Sequence, residues 1–198
     1  MVFLAGCVLA RREEEIRGRD VFEFGCGTGR NLAAMREWGA RSAAGCDLSE
    51  GMLAVARARG GELRLSQCDM CARVPVGDSS AGFILFSLTL EHVPDLEAPL
   101  REAARMLQPG GRVAIIEIHP FLSHDGLAAH FHEGGEEVRM PTFPHTFSGY
   151  IDAFRRSGLR LAECREWRPS DLGTPLPLQG MRRGPDFPMA VEFTLERA

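Results

Sequence analysis

The residues best suited to chemistry fall into two groups. In VFEFGCGTGRN, Glu23 precedes three glycines at alternate positions, Gly25, Gly27 and Gly29. Glycine reaches backbone angles closed to other residues and carries no side chain to hold a ligand off the main chain. An amphipathic segment follows directly, so the free N–H groups of a helix start would face whatever sits above the strand. A second acid, Asp47, closes the next apolar run, and a third, Asp69, follows the one after. The second group is histidine: five of the six lie between His119 and Thr146, and the sixth is His92. An imidazole titrates near neutrality and can take a proton from a phenol or enol.

The loop excludes two nucleotide sites. A dinucleotide fingerprint needs a small residue at its sixth place, which here is Arg30. A phosphate loop needs Gly-Lys before Ser or Thr, which is missing. Each acid also has a plainer use. Glu23 would serve as a solvated strand-edge acid, Asp47 as a cap before Ser49, and Asp69 as a turn residue. Cys68 and Cys71 form a CxxC pair without a second pair at zinc-ribbon spacing. His124, His130 and His132 permit a metal only if their backbone is extended, and no acid stands at a telling spacing, so no metal is expected.

The elements that must carry these groups alternate. Met1 to Arg17 reads as one helix, Asp20 to Phe24 as a strand, and Arg30 to Trp38 as a helix stopped by Gly39. Ser42 to Cys46 is a strand ending at Asp47, and Ser49 caps a helix through Arg59. Strands at Leu63 to Gln67, Phe83 to Ser87 and Arg112 to Ile118 follow, with a helix at Leu96 to Leu107. The last two of those strands are nearly all apolar, as strands covered on both faces should be. Beyond Ile118 the rhythm stops until a helix at Phe147 to Ser157 and strands at Leu159 to Trp167 and Met189 to Glu196. The expected fold is α/β, a doubly wound, mostly parallel seven-stranded sheet with helices on both faces and an antiparallel edge hairpin at the C-terminus.

VFEFGCGTG, GCDLSEGML, SQCDM and SLTLEHVPDLEAPLREAARMLQPGGRVAI together resemble the Rossmann-like, class I S-adenosylmethionine-dependent methyltransferases, in their small-molecule group. The resemblance runs from about Asp20 to Ile118 and departs at Ala81-Gly82, where relatives often carry Phe-Asp. It implies S-adenosyl-L-methionine as cofactor. Glu23 would orient the amino end, Asp47 would accept the ribose hydroxyls, and Asp69 with the Met70 backbone would meet the adenine amino group. Leu48 and Met52 would lie beside the adenine, and Cys26, Asn31 and Ser87 complete the expected set.

Strand ends meet ligands at their carboxyl edge, so Ser87, Leu88, Glu91, His92, Glu117 and His119 should face the acceptor. The candidate bases are His119, then His145 and His92. A segment rich in Phe121, Phe131, Phe143, Phe147 and Tyr150 is expected to form a lid over an apolar pocket.

With 198 residues, the chain reads as one domain: an N-terminal helix at 1–18, a cofactor half at 19–118 and an acceptor side at 119–198. A net charge of −4 argues against a nucleic-acid partner, and no run reaches the ~20 apolar residues of a membrane span. Arg11 and Arg12 follow the apolar opening instead of preceding it, the reverse of a secretion signal, and six irregularly spaced cysteines read as reduced thiols. A cytoplasmic methyltransferase acting on a small apolar or aromatic metabolite is the expectation. The alternative is a cofactor-binding partner or regulatory protein without transfer activity.

Overall fold

A computed structural model describes residues 1–126, 130–133, 136–173 and 184–198, with the backbone alone at 130–133 and 136–139. The elements in chain order are α1 (Val2–Ala10), α2 (Glu13–Ile16), β1 (Asp20–Phe24), α3 (Arg30–Glu37), β2 (Ser42–Asp47), α4 (Glu50–Ala58), β3 (Arg64–Gln67) and β4 (Ala81–Ser87). They continue with α5 (Glu97–Met106), β5 (Leu107–Ile118), α6 (Pro120–His124), β6 (His130–Glu133), β7 (Glu136–Arg139), α7 (Phe147–Arg156), β8 (Leu159–Trp167) and β9 (Ala190–Arg197).

Seven strands form one sheet in the order β3-β2-β1-β4-β5-β9-β8. The first five run parallel, β9 is antiparallel to β5, and β8 is antiparallel to β9. The expected C-terminal hairpin is present, with its later strand inserted beside β5 and its earlier one at the edge. Strand order reverses between β1 and β4, and such a switch point opens a crevice at the carboxyl ends.

Alternation along the strands divides the core. Phe22, Phe24, Ile84, Phe86, Val113 and Ile115 face α5 and α7, while Val21, Phe83, Leu85, Ala114 and Ile116 face α1, α3 and α4. With both faces covered, β4 has no polar position before Ser87.

Two boundaries differ from expectation. The first helix breaks at Arg11 and Arg12, because the Arg12 guanidinium turns inward onto Glu192 (2.8 Å) and Thr194 (2.8 Å) of β9. The fifth strand starts at Leu107 rather than Arg112: Leu107 pairs with Ala81 before the register shifts, and Gly110 takes φ +73° to carry the bulge. The segment 119–146, aperiodic in sequence, contains α6 and the β6–β7 hairpin.

Candidate functional site

The glycine turn is dictated by space as well as angle. Gly25 sits at φ +63°, and a Cβ there would lie 2.0 Å from Thr89 Oγ1. Gly29, at φ +71°, ends the turn as N-cap of α3, and a Cβ on it would meet Ala56 at 2.9 Å. Above Gly27 the space is open, and only its φ of +51° calls for glycine. The buried Cys26 donates its N–H to the Cys46 carbonyl (2.9 Å), tying the turn to β2.

Asp47 ends β2 and receives two N–H groups, from Gly27 on Oδ2 (2.7 Å) and from Ser49 on Oδ1 (2.9 Å). Ser49 in turn caps α4 by accepting from Met52. The capping use and the binding use of Asp47 are therefore compatible, since each oxygen keeps a lone pair.

Glu23 is 2% exposed. Its Oε1 accepts from Asn31 Nδ2 (2.7 Å), and its Oε2 has no partner among the described residues. Burial pushes this carboxyl up to about 8 against the opposing pull of Asn31. A buried, half-satisfied acid is costly unless a ligand supplies the missing donor or charge.

Asp69 is exposed and accepts from the Cys71 N–H (2.8 Å), a turn of the kind Asp favours. The Met70 Cε lies near Gly25, 3.4 Å from the point a Cβ would occupy. Leu48 and Met52 are large apolar side chains on the surface, 70% and 48% exposed, beside Asp47. Ser87 ends β4 half-buried, and Leu88 follows at φ +54°.

Three histidines are tied into the fold by hydrogen bonds. His119 is wholly buried; its Nδ1 accepts from the Phe121 N–H (3.3 Å), capping α6, so Nε2 carries the hydrogen donated to Glu166 (2.9 Å). His145 Nε2 donates to the Leu90 (3.2 Å) and Val93 (2.9 Å) carbonyls. His92 Nδ1 donates to the Pro141 carbonyl (2.9 Å), leaving Nε2 3.8 Å from Glu91 Oε1. A further bond from the Phe143 N–H to the Glu91 carbonyl (2.7 Å) completes a clasp of residues 141–145 over the end of β4. His119 makes edge contacts with Phe121 and Phe147, and Tyr150 packs on Phe193 and His145. The side chains of His130, His132 and Phe131 lie outside the described residues, and no metal-holding group of His, Cys, Asp and Glu occurs among those described.

Glu117 ties β5 to the turn after β4. Its Oε1 accepts from Thr89 N–H (3.0 Å) and Leu90 N–H (2.9 Å), which sets Thr89 over Gly25. Glu91 and Glu117 both stand at the strand-end edge of the sheet. In the sequence, the signal for Glu117 is an acid inside the apolar run VAIIEI.

Elsewhere, Asp20, Phe22, Ser42, Ala44, Arg64 and Ser66 line a cavity of about 500 Å³ on one face of β1–β3. Three of these open their strands, so this space lies toward the amino ends, away from the glycine turn.

The methyltransferase domain family matches residues 22–115. Over that stretch the chain is similar to a methyltransferase domain. Its fold is the Rossmann-like one: an S-adenosylmethionine-dependent methyltransferase from Mesorhizobium loti superposes with a TM-score of 0.73 at 22% identity, covering 92% of this chain and 93% of that one. DhpI in complex with SAH gives 0.69 at 22% identity, covering 100% and 86%. Among sequences, the methyltransferase GfsG of Streptomyces halstedii is 30% identical over 163 residues, 80% of this chain and 59% of the relative. A demethylmenaquinone methyltransferase of Tropheryma whipplei is 35% identical over 109 residues, 52% of this chain and 44% of the relative. The chain thus spans about half the length of these relatives.

No helix among the described residues is long and apolar enough to cross a membrane. The groups around the glycine turn fit S-adenosylmethionine: an orphaned buried acid and a strand-end carboxylate, with no Lys in the chain.

Proposed function

We propose that the protein transfers a methyl group from S-adenosyl-L-methionine to a small apolar or aromatic metabolite. The observation that carries this reading is the unpartnered Oε2 of buried Glu23, beside a turn that only glycine can make. An α-ammonium group supplies the missing donor and charge. Asp47 takes the ribose hydroxyls, and the Gly27 N–H holds its carboxylate in place. Asp69 and the Met70 backbone meet the adenine amino group, with Leu48 and Met52 as apolar walls. Cys26, Gly29, Asn31 and Ser87 shape the same cradle. When bound, the cofactor supplies an electrophilic methyl on a cationic sulfur; the chain's part is to place the acceptor in line and exclude water.

The clasped segment carrying Phe143, together with Phe121 and Phe147, gives the acceptor side its aromatic surface. A demethylmenaquinone methyltransferase among the relatives supports a flat, apolar acceptor. Of the histidines, His119 acts as a positioning residue, because its lone pair is filled by Phe121; His92 and His145 each keep one ring nitrogen for a proton.

Calorimetry with S-adenosylhomocysteine, followed by incubation with labelled S-adenosylmethionine and a metabolite extract, tests the reading. Binding with a labelled small product is expected. Binding without any product would leave a cofactor-binding partner protein, and no binding would remove the cofactor assignment.

A further inference from the structure

Four buried side-chain oxygens have no hydrogen-bond partner among the described residues: Oε2 of Glu15, Glu23, Glu91 and Glu117. Glu15 lies in α2, but the other three stand at the carboxyl edge of the sheet, on β1, on the turn after β4 and on β5. Buried polar groups are nearly always paired, and an unpaired carboxyl oxygen costs folding free energy. Three stand at one edge of the sheet, near the carboxyl ends of its strands, which is where ligands meet such sheets. Glu23 is absorbed by the cofactor reading. Glu91, 4% exposed, and Glu117, 1% exposed, are not.

The two acids are held from opposite sides. Glu117 is fixed through Oε1 by the Thr89 and Leu90 N–H groups. Glu91 is the next residue of that turn, pinned through its carbonyl by Phe143 N–H and through its neighbour His92 by Pro141. Tyr150, 3% exposed and not acidic, is a third polar group on the same centre: its ionisation is opposed by burial and then by both acids. Burial raises Glu91 as well, and it pushes Glu117 up to about 8. Glu117 is fixed through Oε1, and each acid keeps an Oε2 without a partner among the described residues, which in its ionised form accepts hydrogen from a ligand.

We propose that Glu91 and Glu117 are the acceptor-recognition pair: their free Oε2 atoms take the O–H or N–H hydrogen of the methyl acceptor. This rests on the methyltransferase reading and deepens it. As the acceptor's oxygen, nitrogen or conjugated carbon bonds the methyl carbon, the carbon–sulfur bond breaks and its electron pair stays on sulfur. The O–H or N–H proton passes to the ionised member of the pair. One positive charge and one carboxylate are consumed, and a neutral thioether and a carboxylic acid remain. The acceptor class is a hydroxyl- or amine-bearing metabolite with an apolar body.

The test uses full-length Glu91→Gln and Glu117→Gln, which keep shape and the Oε1 acceptor. Both are expected to bind S-adenosylhomocysteine as the wild type does. Their ligand-free melting temperatures should be equal to or above the wild-type value, because a strained acid is removed. Transfer of label to the wild-type product should fall about a hundredfold or more. Glu91→Asp should recover part of that loss. Labelling at the wild-type rate in both variants overturns the inference while the methyltransferase reading stands. Lower melting temperatures in both make the acids structural and also overturn it. A labelled product whose acceptor has no O–H or N–H hydrogen does the same. Wild-type protein that labels nothing overturns the reading itself and the inference with it.

Discussion

At the scale of single residues, the cofactor cradle separates positions that must be what they are from positions that are only convenient. Gly25 and Gly27 share a left-handed backbone, but only at Gly25 would a methyl strike Thr89. Gly27→Ala meets the backbone penalty alone, about 1–2 kcal/mol. Gly25→Ala adds a steric clash, on the order of 1–3 kcal/mol more, and pushes Thr89 away from Glu117. Urea unfolding should rank Gly25→Ala well below Gly27→Ala, with S-adenosylhomocysteine binding lost in the former; equal stabilities would mean the turn relaxes freely. Asp47→Ala removes the acceptor for Gly27 and Ser49 N–H as well as the ribose contact. Weaker S-adenosylhomocysteine binding by about 1–3 kcal/mol is expected in calorimetry, and unchanged affinity would contradict the ribose assignment.

At the scale of elements, the N-terminal helices are bound to the C-terminal strands through a charge. Arg12 reaches Glu192, which is 2% exposed and also accepts from the Trp167 indole N–H (2.9 Å). The Arg12 guanidinium is held more firmly protonated by Glu192 and Glu15, against the cost of burial. Arg12→Ala strands the Glu192 charge in the core and should cost about 3–5 kcal/mol in urea unfolding. Glu192→Gln in that background should restore part of it; additive losses would show that no such pair operates. This junction was not legible in the sequence, because it joins residues 180 apart in the chain. Most elements of the main sheet were legible, since strands alternating with helices, the Ser49 cap and glycine stops are local signals, whereas α6 and the β6–β7 pair were not. The histidines show the other limit: their type was informative, but their hydrogen bonds depend on where residues 141–145 fold back. A lone acid in VAIIEI could be read as unusual, yet its free oxygen appears only in three dimensions.

For the whole molecule, the carboxyl-edge acids set how stability responds to pH. Glu23 and Glu117 are raised from 4.5 to about 8, in both cases chiefly by burial. Between those two pH values the folded chain holds protons that the unfolded chain has released. Stability is therefore fully present below about pH 4.5 as far as these groups act, and it declines as pH rises toward 8. The slope is at most about 1.4 kcal/mol per pH unit for each proton concerned. Asp20 is lowered to about 2 by Arg41, so its contribution is complete before this window opens. Melting temperatures of the ligand-free protein should fall from pH 5 to pH 8, and Glu23→Gln or Glu117→Gln should each flatten the fall. S-adenosylhomocysteine should flatten it too, because its ammonium pairs with an ionised Glu23. A wild-type profile that rises across this window, or Gln variants with the wild-type slope, would show that these carboxyls are already ionised and solvated. The edge of the sheet would then have no unsatisfied acids to offer a ligand.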